Sequence, residues 1–130
     1  MDKINISDGE WKIMKLLWEN PPLTTAQLVS ALEPETGWTK TTVFVMLKRL
    51  MAKGAVGIDE SGKFNLYYPK VSRSLATQQE AESFLSRVYD GSLGLMFSSF
   101  AVSRNLSEEE IAELRQILDS AEKRNRSEQK

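Results

Sequence analysis

Apolar residues recur at helical spacing in three short stretches near the start of the chain. Trp11, Met14, Leu17 and Trp18 form one stripe, Ala26, Leu28, Val29 and Leu32 a second, and Val43, Leu47 and Leu50 a third. Positions three and four apart share one side of an α-helix, so each stretch predicts a helix that buries that side. Polar residues mark the boundaries. Ser7-x-x-Glu10 and Thr24-x-x-Gln27 each set a hydroxyl to accept from a free N–H and an acid or amide to reach back. Ile6 with Trp11, and Leu23 with Leu28, flank these boxes as apolar staples. Thr39 is the cap of the third helix, with Trp38 and Val43 as staple, but Thr42 stands where the acid or amide would be. The first helix is expected from about Ser7 to Asn20, ended by Pro21-Pro22, and the second from about Thr25 to Leu32. Pro34 and Gly37 mark the connection to the third, which runs from Lys40 to Lys53 and stops at Gly54.

The period then changes from helical to strand-like. Val56-Gly57-Ile58-Asp59 and Phe64-Asn65-Leu66-Tyr67-Tyr68 flank the turn Glu60-Ser61-Gly62-Lys63, predicting a hairpin with Phe64, Leu66 and Tyr68 on one face. Three helices and a hairpin make a winged helix–turn–helix, with the third helix as reader and the hairpin tip as wing. Beyond Pro69 a helix is expected from about Ser72 to Asp90, carrying Ala81, Phe84, Leu85 and Val88, and broken at Gly91. Residues 92–103 are apolar almost all round: Leu93, Leu95, Met96, Phe97, Phe100, Ala101, Val102. A last helix opens with the box Ser107-x-x-Glu110 and runs to about Glu122, with Ile111, Leu114, Leu118 and Ala121 on one stripe. Residues 123–130 read as a frayed polar end.

The expected fold is thus mainly α, with a winged helix–turn–helix over residues 1–71 and a three-helix dimerisation region over 72–130. About fifty residues in three helices cannot readily bury this much apolar surface alone, whereas two copies can bury it between them. Phe84, Leu85, Val88, Leu93, Met96, Phe97, Phe100, Ile111, Leu114 and Leu118 are the expected contacts of a homodimer. The alternative is that these helices fold back on the winged domain of their own chain.

Composition narrows the function. At 130 residues the chain makes one domain or two small ones. No apolar run approaches a membrane span, and Met1-Asp2-Lys3-Ile4-Asn5 lacks the pattern of a signal peptide, so the cytoplasm is the expected compartment and no membrane insertion is expected. The chain has no Cys and no His. That removes disulfides, thiolate metal sites and the commonest general base, and no metal or cofactor is expected. Asp8 with Glu10, and Glu108-Glu109-Glu110, sit at helix starts, where acids complement the helix dipole. They read as caps rather than catalysts, and no enzymatic activity is expected. Trp11, Trp18 and Trp38 occupy helical and staple positions and read as core, not as a stacking platform for single strands.

The net charge is −1, but it is unevenly placed. No acid occurs from Thr36 to Ile58, while Lys40, Lys48, Arg49 and Lys53 do. A local basic patch on a near-neutral domain fits double-stranded DNA. Off the buried stripe of the third helix lie Thr39, Lys40, Thr41, Thr42, Phe44 and Lys48, the candidate DNA contacts, with Lys63 at the wing tip reaching for phosphate. The alternative is a winged helix that binds protein without touching DNA.

The chain resembles the penicillinase-repressor family (BlaI/MecI/CopY). The matching residues include Ile6-Ser7-Asp8-x-Glu10-Trp11, Pro22-Leu23-Thr24, Thr36-Gly37-Trp38, Thr42-Val43, Leu47-x-Arg49-Leu50, Lys53-Gly54, Tyr67-Tyr68-Pro69-x-Val71-Ser72, Gly91-Ser92-Leu93 and Leu106-Ser107-x-x-Glu110-Ile111. The resemblance implies a dimeric winged-helix repressor on a (pseudo)palindromic operator of β-lactamase or other resistance or stress genes. It also implies release through a membrane sensor protease pathway, by cleavage at a place that corresponds here to Ser99-Phe100. Two departures stand out: Val45 where the family often has Thr, and Ser99 where its cleavage motif has Asn. The family's copper branch uses a C-terminal cysteine cluster, which this chain lacks.

Overall fold

The computed structural model describes residues 4–128, and its element order is three helices, a hairpin and three more helices. Helix α1 spans Asp8–Glu19, α2 Thr25–Thr36 and α3 Lys40–Ala52; strands β1 and β2 are Val56–Asp59 and Leu66–Pro69. Then come α4 (Arg73–Tyr89), α5 (Leu93–Ser103) and α6 (Glu108–Glu128). The chain divides into two compact units, one through Phe84 and a second from Leu85 onward.

The caps of the first unit form as their residue types dictate. Ser7 and Glu10 exchange hydrogen bonds (Ser7 N–H to Oε1 2.9 Å, Glu10 N–H to Oγ 3.3 Å), as do Thr24 and Gln27 (2.8 and 3.1 Å). Each box satisfies helix N–H groups that lack intrahelical partners. Two ends differ from expectation. Helix α2 does not stop at Leu32 but runs through Pro34 to Thr36. Pro34 stands in the last turn, where it removes no more than one backbone N–H donor from the helix while the chain keeps helical geometry for two further residues. The stop comes at Gly37, whose φ of 67° ends the helix in a left-handed cap and sends its N–H to Glu33 O. Helix α6 continues past Glu122 to Glu128, so residues 123–128 are helical rather than frayed; 129–130 lie outside the described residues.

Ile13, Met14, Leu17, Leu28, Leu32, Val43, Leu47 and Leu50 form a core with Val56, Tyr67 and Ala76. Trp11, Trp18 and Trp38 pack half-buried against it, so all three tryptophans are structural. Ile13 shares the α1 face more fully than the tryptophans do, and Ala26 is exposed on α2.

The hairpin departs from its expected phasing. Asp59 pairs with Leu66, leaving residues 60–65 as a six-residue loop rather than a four-residue turn. Tyr67, not the Phe64/Leu66/Tyr68 set, turns into the core: it is 1% exposed, against 63% for Phe64. Side chains alternate along a strand, so burial of Tyr67 sends Tyr68 to the other side. There Tyr68 lies across Gly57, its partner in the ladder; a Cβ at Gly57 would fall 2.4 Å from the ring. The absence of a side chain at residue 57 is what lets the ring lie flat. The α1–α2 connection joins the sheet through a single bridge: Leu23 N–H to Tyr67 O (3.0 Å) and Tyr67 N–H to Leu23 O (2.8 Å).

The first turns of α4 belong to this unit. Trp18 Nε1 donates to Val71 O at 2.9 Å, Arg73 lies over the Trp18 ring, and Ala76 is buried.

The second unit contrasts with the first. Among the described residues from Leu85 on, no side chain is buried. Helix α5 starts at the cap Ser92, and Ser107 and Glu110 close the expected box, both bonds at 3.1 Å. The Ser107 N–H, ahead of Arg104, holds the Glu110 carboxyl below its ordinary pKa. Phe97, Phe100, Leu106, Leu114, Ile117 and Leu118 line an apolar groove of about 520 Å³, with the Arg104–Glu110 ion pair (2.8 Å) beside it. No helix among the described residues is long and apolar enough to cross a membrane.

Candidate nucleic-acid interface

Burial of Val43, Leu47 and Leu50 fixes the rotation of α3 about its axis. Lys40, Thr41, Phe44, Val45 and Lys48 consequently all face outward. Thr39 is engaged in the cap: its hydroxyl accepts from Thr42 N–H at 3.3 Å and lies 3.3 Å from the Thr42 hydroxyl. Thr42 is half-buried, so it is the least accessible of the predicted contacts. Lys48 folds back over the Phe44 ring, its ammonium 5.1 Å from the centroid.

The wing supplies the second wall. Lys63 sits 5.4 Å over the ring of Phe64 in the exposed loop. An open concavity of about 650 Å³ brings Lys63, Phe64 and Asn65 together with Lys40 and Phe44 of α3 and with Thr24–Gln27 at the start of α2. Residues far apart in sequence thus meet on one surface carrying lysine on both sides. Thr42 and Lys48 do not line this concavity; Lys48 stands on the outward side of α3. The α2 start was not among the predicted site residues. Its capping box is visible in the sequence, but only the packing of the wing places it on the same concavity as Lys40 and Lys63.

Lys53 corrects the sequence reading of the basic patch. Its ammonium lies 2.5 Å from Glu10 Oε1 and donates to Asn5 O at 2.7 Å. It closes a contact between the end of α3 and the start of α1, and is not part of the outward basic face. Glu10 is 1% exposed. Burial works to raise its pKa, but the Lys53 hydrogen bond, then the Ser7 N–H, outweigh it and hold the carboxyl below the ordinary glutamate value. Glu10 and Glu110 thus serve as the reciprocal acids of their capping boxes, and each also takes an ion-pair partner that the sequence did not mark, Lys53 and Arg104. On the wing, Asp59 accepts from the Ser61 hydroxyl (2.6 Å) and N–H (3.0 Å), which lower its pKa and order the loop.

A three-helix unit with an antiparallel hairpin, whose third helix and hairpin loop present lysines on a common surface, defines a winged helix–turn–helix. Residues 6–120 match the model of the family described as penicillinase repressor. The chain belongs to the penicillinase repressor family. It is 36% identical over 125 residues to the penicillinase repressor of Bacillus licheniformis, covering 95% of this chain and 98% of that protein. It is 27% identical over 114 residues to the methicillin resistance regulatory protein MecI of Staphylococcus aureus, covering 88% of this chain and 93% of the relative. A solution structure of the Bacillus licheniformis BlaI monomeric form in complex with the blaP half-operator superposes with a TM-score of 0.50 at 33% identity, covering 57% of this chain and 92% of that one. The family is one of transcriptional repressors rather than enzymes.

Proposed function

We propose that the protein is a dimeric, sequence-specific repressor that binds a two-half-site operator in double-stranded DNA. The concavity that unites Lys63 of the wing with Lys40 and Phe44 of α3 carries this reading. In it α3 lies in the major groove, and Lys40 and Lys63 meet the phosphates on either side. The relative solved with its half-operator supports it. Thr39, Thr41, Thr42 and Lys48 complete the proposed contact set. Winged-helix residues 1–71 bind DNA and residues 72–130 form the dimer, through Phe84, Leu85, Val88, Leu93, Met96, Phe97, Phe100, Ile111, Leu114 and Leu118. Support for the second role comes from the many large apolar side chains left exposed beyond Leu85. The regulated genes are of the antibiotic-resistance or stress class, and the protein works in the cytoplasm.

Replacing Lys40 and Thr42 together by alanine tests the reader. A lost base contact lowers affinity by about 1–3 kcal/mol and relaxes specificity. A lost phosphate contact lowers it for all sequences and reduces the salt slope by about one. Unchanged operator affinity in a gel-shift titration would remove α3 from the DNA.

Release by a membrane sensor protease pathway would act at Ser99-Phe100. Both residues lie within α5, half-buried and exposed respectively, so the last turns of the helix must open before a protease can hold the bond in extended form. Cutting there severs α6, and with it Ile111, Leu114 and Leu118, from the chain. Mass spectrometry of protein from fully derepressed cells should find the two fragments; intact chain alone would mean that release takes another route.

A further inference from the structure

The outward face of α3 is not uniformly polar. Lys40, Thr41, Phe44, Val45 and Lys48 fall at i, i+1, i+4, i+5 and i+8, opposite the buried Val43, Leu47 and Leu50. Within this face Phe44 and Val45 are 40% and 41% exposed, two large apolar side chains side by side among lysine and threonine. Phe44 also lines the concavity, and the Lys48 ammonium lies over its ring. Lys40 and Lys48 flank the pair along the helix, and Lys63 of the wing shares the concavity with Phe44. An apolar centre framed by cations matches a surface with anionic edges and an apolar feature between them.

The DNA major groove has such a feature at only one base. Every base edge there offers hydrogen-bond donors or acceptors, and thymine alone adds a C5-methyl group. Neither a phenyl nor an isopropyl group can donate or accept, so neither can read guanine, adenine or cytosine by hydrogen bonding. Set against guanine or cytosine they would strip water from polar atoms and return nothing. We propose that Phe44 and Val45 form an apolar reader that selects thymine in each half-site through its C5-methyl group. The inference rests on the DNA-binding function proposed above and gives that function its base preference. Attraction comes from burying the methyl; rejection of a G·C pair comes from its unpaired edge.

Uracil is thymine without the methyl, and it keeps the same hydrogen-bonding edge, so it isolates this contact. Duplexes retained by the full chain from a random pool give the preferred site. Each thymine in that site is then replaced singly by deoxyuridine, and affinity is measured by fluorescence anisotropy. At one or more positions in each half-site, uracil should weaken binding about fourfold, the worth of one buried methyl group. That loss should shrink towards onefold in Phe44→Ala or Val45→Ala, because the side chain that sensed the methyl is gone. Retention of DNA with every thymine indifferent to uracil would overturn this inference and leave the DNA-binding reading standing. So would a uracil effect that persists unchanged in both variants. Failure to retain any DNA would overturn both. The uracil series uses the unaltered protein, so its outcome does not depend on how the variants fold.

Discussion

A chain shortened to end at Phe84 should fold, sediment as a monomer and bind its operator about 10²- to 10⁴-fold more weakly than the full chain. Every buried side chain of the described residues, from Ile6 to Ala76, remains in the shortened protein. Its two intact capping boxes and its Trp18–Val71 hydrogen bond remain as well. What it loses is the second unit, and with it the proposed dimer contacts that would make binding of a second half-site intramolecular. Ending at Phe84 rather than Val71 matters, because the first turns of α4 contribute Ala76 to the core. Analytical ultracentrifugation of the two proteins checks the first half of the expectation and gel-shift titration the second. A stable dimer of the shortened chain would place the dimer contacts in the winged unit.

The second large effect is on stability. Glu10→Ala should cost about 2–3 kcal/mol, towards the lower end for a broken buried pair because Lys53 keeps partial contact with water. The substitution removes the Lys53 partner and the acceptor for Ser7 N–H in one step. In the unaltered protein the same group makes stability depend on pH. Its carboxyl titrates lower in the folded state than in the unfolded chain. The contribution is therefore complete at neutral pH, begins to fade near the ordinary glutamate value of about 4.3, and is lost as pH falls through the lowered folded value. Urea titrations at pH 7 and pH 3 should show the gap between the parent and Glu10→Ala narrowing in acid. A gap of the same size at both pH values would show that the ionised carboxylate is not what stabilises the helix junction.

Local signals were legible because the physics behind them is local. Ser7 with Glu10, Thr24 with Gln27 and Ser107 with Glu110 each form within one helical turn, and the structure has all three boxes. Thr39 needs only the N–H of Thr42. The stripe Val43, Leu47, Leu50 sets the rotation of α3, so Lys40, Thr41, Phe44 and Lys48 are exposed as it predicts, while Thr42 is half-buried and Val45, outside the predicted set, is exposed. What escaped was long-range. Nothing near Lys53 in the sequence marks Glu10 as its partner, so charge alone places it in the basic patch. Two adjacent tyrosines make the hairpin pattern ambiguous by one residue, and only the α1–α2 connection and the bare backbone of Gly57 decide that Tyr67 goes in and Tyr68 out. Pro34 predicts a stop because proline breaks helix interiors, but α2 carries it in its last turn and Gly37 ends the helix instead. That Thr24–Gln27 line the same concavity as Lys40 and Lys63 depends on where the wing packs, which no local pattern encodes.

The bridge between Leu23 and Tyr67 also governs the order in which a growing chain can fold. Residues far apart in sequence meet only after a long loop has closed, and that closure is slow compared with forming a helix. The helix–turn–helix is synthesised first, yet its core stays open until Tyr67 and then Ala76 have left the ribosome. Helices α5 and α6 follow behind and are then still within the ribosome or not yet made. On the proposed division of roles, each new molecule thus completes its reader before its pairing helices, and passes through a stage in which it holds one finished reader and no partner. Where pairing follows only when two such molecules meet, the supply of paired protein rises with the square of the chain concentration while monomer predominates.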